Sequence, residues 1–216
     1  MVTIVAIDGP AGSGKSSVSK AAARRLGFGY LDTGAAYRAL SWAVDAGKLA
    51  APTEADFFGF DYEISLDPDN FWVRSFGVDV TEAIREPRVA QNVSAVAGVL
   101  SVRSWMKEFT RELALRSVLS GVVIEGRDIT TVVFPDADVR ILLTASEEVR
   151  LQRRAGELSP EALATLRQQV IDRDAKDSKV VDFMNAAPGV TLVDTTDLNF
   201  EQSIQAVVDL VEGSTK

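Results

Sequence analysis

Residues 9–16 read Gly-Pro-Ala-Gly-Ser-Gly-Lys-Ser, the spacing G-x-x-x-x-G-K-[ST]. Each residue type in it has a use in holding polyphosphate. Gly9, Gly12 and Gly14 let successive backbone N–H groups turn inward onto phosphate oxygens. A helix opening at the end of the loop would aim the positive end of its dipole at the same point. Pro10, Ala11 and Ser13 complete the cradle, Lys15 can reach the β and γ phosphates, the Ser16 hydroxyl can ligate Mg²⁺, and Ser17 follows in the first helical turn. A dinucleotide fingerprint has no role for a cation where Lys15 stands. Residues 9–17 therefore point to a bound nucleotide held by its phosphates, with Mg²⁺ at Ser16.

Three further clusters bear on what could receive a phosphoryl group. The stretch YLDTGAAYR, residues 30–38, follows a short strand and opens a helix, so Thr33 and Arg38 fall where a second anion could dock. The same residues are also good capping chemistry, with Asp32 or Thr33 as N-cap and Arg38 in solvent. The stretch EGRDITTVVFPDA, residues 125–137, puts Arg127 and Asp128 at the carboxyl end of an apolar strand, where open α/β sheets place ligands. Phosphate contact with orientation by a carboxylate is one reading; a surface ion pair is the other. The third cluster, 150–179, holds Arg150, Arg153, Arg154, Arg167, Arg173 and Asp177. It is either a solvated helix face or an arginine-bearing lid over transferring phosphate.

The elements that must position these residues are legible as alternating patterns. Val2–Ile7 is a short apolar run of the kind buried on both faces of a parallel sheet. Helices are expected over Ser16–Leu26, with Gly27 past the end, and over Thr33–Ala46, ending at Gly47. From 61 to 80, alternating apolar and polar residues flank Asp67–Asn70, which predicts an antiparallel hairpin. A long amphipathic helix is expected over Ser101–Ser120, with Val102, Trp105, Phe109 and Leu113 as its apolar stripe. Strands follow in GVVIEGRD, DADVRILLTA and GVTLVDTT, with charged helices over Ser146–Gly156 and Ser159–Lys176. Asn199 is placed to cap a last helix over Phe200–Glu212. Strands alternating with helices predict an α/β fold with a mainly parallel sheet.

The 216 residues include no histidine and no cysteine, which removes His bases, His or Cys metal ligands and disulfides together. Chemistry must come from carboxylates, hydroxyls, Lys, Arg and backbone amides. A net charge of −8 argues against a broad nucleic-acid surface. No apolar run of about 18 residues exists, so no membrane span is expected, and the N-terminus lacks the pattern of a signal peptide. The expected protein is cytoplasmic. No helix shows a long coiled-coil seam, and a monomer is expected.

Taken along the whole chain, IDGPAGSGKSS, LDTGAAYR, EGRDITTVVFPDA and RDAKDS resemble bacterial-type cytidylate kinases. The resemblance implies a P-loop kinase, a single domain over 1–216 with a parallel five-stranded core flanked by helices. It further implies a small antiparallel β insertion for the nucleoside monophosphate at about 53–92, and a short helical lid at about 150–165. The implied reaction is γ-phosphoryl transfer from Mg·ATP to CMP, and to dCMP, in pyrimidine metabolism. By position, the acceptor-phosphate contacts fall on Arg38 and Arg127. Thr33, Ser94, Arg103 and Asp128 match base and nucleoside positions, and Arg173 and Asp177 match a pair that contacts the ribose. The catalytic set is then Lys15, Arg127 and Asp128 with Arg153 or Arg154 from the lid. Read without the resemblance, Ser94 is equally a small packing residue and Arg103 an exposed helix charge.

Two departures stand out. The family's R-D-x-x-D-S-x-R ends in an arginine that helps hold the cytosine, whereas RDAKDSKV has Val180 there and Lys179 just before it. Its proline-rich continuation is replaced by VDFMNAAPGV. Against rivals, the chain has no N-K-x-D segment of the kind that reads guanine in a GTP switch. Another small P-loop kinase, acting on a different monophosphate or on an alcohol such as shikimate, is the nearest alternative.

Overall fold

The computed structural model describes residues 2–53, 59–155 and 182–214. Its centre is a five-stranded, all-parallel sheet in the order β2-β6-β1-β7-β8. These strands are β1 (Thr3–Asp8), β2 (Gly29–Asp32), β6 (Gly121–Gly126), β7 (Val139–Thr144) and β8 (Thr191–Asp194). Continuous apolar runs make them. Both faces are covered, so all six residues of β6 and five of the six in β1 are buried. Period-two alternation divides β1 between two cores. Val5 and Ile7 pack with α1 (Lys15–Leu26) and α6 (Phe200–Ser214), while Ile4 and Ala6 face the opposite core, which includes α2 (Thr33–Asp45).

Acidic residues enter the strands only at their carboxyl ends, and the parallel register brings those ends together. Asp32 of β2 pairs with Glu125 of β6, and Ile7 pairs with Glu125 on its other side, next to Asp8. The phosphate loop leaves β1 at this edge. Gly9 is required there, since a Cβ would run into the Leu143 carbonyl oxygen of β7. Gly12 has φ +80° and lies where a Cβ would come within 2.7 Å of the Arg150 carbonyl.

The expected hairpin is present as β3 (Tyr62–Ile64) and β4 (Val73–Ser75), and a third short strand, β5 (Val78–Asp79), extends it into a small antiparallel sheet. An unanticipated helix, α3 (Pro87–Ala97), follows it, with Pro at its first turn. The long amphipathic helix is shorter than expected. α4 runs Leu100–Leu115 rather than to Ser120, because Ser117 accepts the Leu119 N–H in a turn that delivers the chain to β6. Its deepest face is Val102, Met106, Thr110 and Ala114, with Trp105, Phe109 and Leu113 beside it. The Asn199 cap is present in reciprocal form: Asn199 Oδ1 accepts from Gln202 N and Gln202 Oε1 from Asn199 N, both at 2.9 Å. α5 spans Glu147–Ala155. The helix expected over Ser159–Lys176 lies outside the described residues.

Asp8 ties the sheet edge to the loop after β6. Its carboxylate accepts from Ile129 N at 2.9 Å, Thr130 N at 2.8 Å and Thr130 Oγ1 at 2.6 Å, and it is 2% exposed. These bonds hold the π-helical turn Ile129–Val133 and so fix Arg127 and Asp128 just before it. Asp8→Ala leaves two buried N–H groups without their acceptor. A loss of about 1–3 kcal/mol is expected in urea unfolding, and an unchanged midpoint would contradict it.

Candidate active site

Glu125 is the innermost charged group of the site. It ends a strand that is otherwise apolar and is 3% exposed. Ser16 Oγ donates to its Oε1 at 2.6 Å, the Tyr30 hydroxyl reaches the same oxygen at 3.3 Å, and Lys15 Nζ lies 3.9 Å from Oε2. Its backbone carbonyl accepts from Thr33 Oγ1 at 2.8 Å. One residue thus connects the phosphate loop to the start of α2. Burial raises the Glu125 pKa above its ordinary 4.5, and the neighbouring Asp32 charge pushes it the same way, while Lys15 and Ser16 oppose both.

Around this group lies a cavity of about 1160 Å³ over the carboxyl ends of the strands. One end is the phosphate loop, with Gly12, Gly14, Lys15 and Ser16 lining it. The other end gathers Thr33, Arg38, Ser94, Arg103, Arg127 and Asp128. The capping reading of Asp32 holds, since it accepts the Ala35 N–H at 3.0 Å, but Arg38 is not in solvent. Its guanidinium is 17% exposed and donates to Asp32 at 2.7 Å. Arg103 is no exposed helix charge either, because it pairs with Asp128. Burial raises the Asp128 carboxyl pKa; Arg103 lowers it, and Asp8 adds to the rise. Arg127 donates to the Gly9 carbonyl and lies over the Phe183 ring, 4.6 Å from its centroid.

Two arginines of α5 donate to carbonyls of the phosphate loop. Arg150 is 7% exposed and donates to the Ala11 carbonyl at 3.0 Å. Arg153 donates to the Ser13 carbonyl at 3.1 Å, to Thr195 Oγ1 at 3.0 Å and to the Thr195 carbonyl at 2.8 Å. Arg150 thus ties the phosphate loop to α5, and Arg153 ties it to the residue just past β8. The Arg154 side chain, Arg173 and Asp177 lie outside the described residues. Ser13 Oγ and Arg38 Nε are buried and have no hydrogen-bond partner among the described residues.

Sequence reasoning did not single out Glu125, nor Lys20, Phe71 and Arg85, which also line the cavity. The Phe71 ring carries Lys20 Nζ at 5.5 Å and the Arg85 guanidinium at 6.0 Å. An acid closing an apolar strand was the available sign for Glu125. For the other three no sequence signal exists, since they come from α1, the hairpin turn and the segment after the small sheet.

The family model for cytidylate kinase matches residues 5–213. A Streptomyces avermitilis protein named cytidylate kinase is 46% identical over 214 residues, covering 97% of this chain and 92% of its own. The chain belongs to the cytidylate kinase family. A Cutibacterium acnes cytidylate kinase is 42% identical over 223 residues, covering 96% of this chain and 95% of its own. Among solved structures, TT1252 from Thermus thermophilus has a TM-score of 0.51 at 18% identity, covering 100% of this chain and 98% of its own, a likeness of fold.

Raised by burial, Glu125 holds its proton to higher pH in the folded protein than in the unfolded chain. The stability it contributes is complete below 4.5 and is lost as pH rises through the folded value. The stability of the natural protein relative to Glu125→Gln is therefore expected to fall as pH rises above 4.5 toward neutrality, read by urea unfolding across a pH series. A difference that stays flat or grows would contradict the assignment.

Proposed function

We infer that this protein transfers the γ-phosphoryl group of ATP to CMP, giving CDP and ADP, with dCMP as a second acceptor. The observation that carries this reading is the two-ended cavity. In a member of the cytidylate kinase family, it sets Lys15 and Ser16 at one end and Arg38, Arg127 and the Arg103–Asp128 pair at the other.

The chemistry asks for positioning and charge neutralisation rather than a strong base. The second pKa of a phosphate monoester is about 6, so the attacking oxygen of CMP is already mostly ionised at neutral pH. This agrees with a chain that has no histidine. Backbone N–H groups of the loop and Lys15 hold the donor phosphates. Arg38 and Arg127 orient the acceptor phosphate in line, and Asp128 with Arg103, Thr33 and Ser94 reads the nucleoside. In the transfer, the acceptor oxygen bonds to the γ phosphorus as the bond to the β-bridging oxygen breaks, and ADP leaves. Arg150 and Arg153 keep the loop in shape by gripping its carbonyls.

Mg²⁺ fits the donors present. The Ser16 hydroxyl and the Glu125 carboxylate are hard oxygen ligands next to Lys15, and nucleotide phosphates would supply others. When bound, the ion would neutralise charge between the β and γ phosphates. The small sheet after residue 59 is assigned to the acceptor-binding insertion. Arg173 and Asp177 are assigned to the ribose, and a lid at about 150–165 is assigned to water exclusion. With Val180 in the family's arginine position, recognition of cytosine rests on Ser94, Arg103 and Asp128.

Lys15→Ala is expected to lower kcat for CMP-dependent ADP formation about 100-fold, with the thermal midpoint little changed. A variant that keeps near-natural kcat would overturn this mechanism.

A further inference from the structure

Residues 182–190 are exposed or half-exposed with one exception. Phe183 is 1% exposed and is among the largest fully buried side chains in the protein. Its inward direction is built locally. The Asp182 carboxylate accepts the backbone N–H of Met184 at 3.0 Å and of Asn185 at 3.1 Å, and the Asn185 side-chain amide at 3.0 Å. This Asx turn reverses the chain immediately after Phe183. Further on, the Arg140 guanidinium donates to the Pro188 carbonyl at 3.3 Å and Val190 N to the Ala187 carbonyl at 3.0 Å, which delivers the chain to β8. The loop sends one large ring into the body of the protein.

That ring meets Arg127, whose guanidinium carbon is 4.6 Å from its centroid. Arg127 also donates to the Gly9 carbonyl at the root of the phosphate loop and lines the cavity. An aromatic face attracts a guanidinium through its quadrupole and does not take up its in-plane N–H groups. Burial of the ring strengthens that attraction.

We propose that Phe183 is a positioning residue for phosphoryl transfer: its ring holds the Arg127 guanidinium at the height of the phosphate loop, with its N–H edge toward the acceptor phosphate. The proposal rests on the assignment of Arg127 to that phosphate.

The test replaces Phe183 with mono-, di- and trifluorophenylalanine, which withdraw electron density from the ring with little change of shape. CMP and Mg·ATP affinities are measured by calorimetry, with thermal midpoints and CMP-dependent ADP formation alongside. CMP affinity is expected to weaken stepwise with each fluorine, to about tenfold in the trifluoro protein, while Mg·ATP affinity and the midpoint stay constant. Phe183→Leu should weaken CMP binding at least as much, and Phe183→Trp should retain most of it. If the fluorinated series binds CMP like the natural protein, and Phe183→Leu only lowers the midpoint, the ring is packing alone and the proposal fails. That outcome leaves the kinase assignment intact. Natural protein that neither binds nor phosphorylates CMP would overturn the assignment, and this proposal with it.

Discussion

A carboxylate cannot be buried in a sheet without partners, and Glu125 is buried at the end of the most enclosed strand of this protein. Its needs organise the site. One oxygen takes the Ser16 and Tyr30 hydroxyls, the other faces Lys15, and its carbonyl takes Thr33. The residues expected to meet the donor phosphates and those that open the acceptor-side helix are thereby set relative to one another through a single side chain. The same pattern repeats around it. Asp32 holds Arg38, Asp128 holds Arg103, and Asp8 holds the turn that carries Arg127 and Asp128. Acids placed at strand ends act as struts for cations that would otherwise repel one another across a narrow cavity.

This arrangement explains how an acidic chain, with net charge −8, can present a cavity suited to two polyanions. Charge is distributed by position and not by total. Lys15, Arg38, Arg103 and Arg127 line the cavity, and the first three each stand beside a carboxylate, Glu125, Asp32 and Asp128. Each cation is pre-oriented before a ligand arrives, so little ordering entropy remains to be lost on binding. Arg150 and Arg153 serve the same end from outside, by fixing the carbonyls of a loop whose N–H groups must all point inward.

Much of this was legible in the sequence, for physical reasons that differ from element to element. The parallel strands announce themselves because burial on both faces demands unbroken apolar runs, as in residues 121–124. The phosphate loop is legible because its glycines, Lys15 and Ser16 answer to one local geometry. Local rules fail where a neighbour decides. Leu115, Val118 and Leu119 continue a helical apolar rhythm past the true end of α4, yet the chain has to turn there to enter β6. α3 was masked by the alternating segment before it, although Pro87 at its first turn was a usable sign. For Arg38 and Arg103 a solvated charge stays an open reading until the fold supplies Asp32 and Asp128. Phe183 reads as a loop residue, because nothing in VDFMNAAPGV shows that its ring meets an arginine far away in sequence.

The most direct measurement is ADP formation from Mg·ATP with CMP, dCMP, UMP, AMP and shikimate in turn, against a control without acceptor. Fast turnover with CMP and dCMP and slow turnover with UMP is the expected result. ADP released no faster with any acceptor than in the control would contradict the assignment of this cavity to phosphoryl transfer between nucleotides.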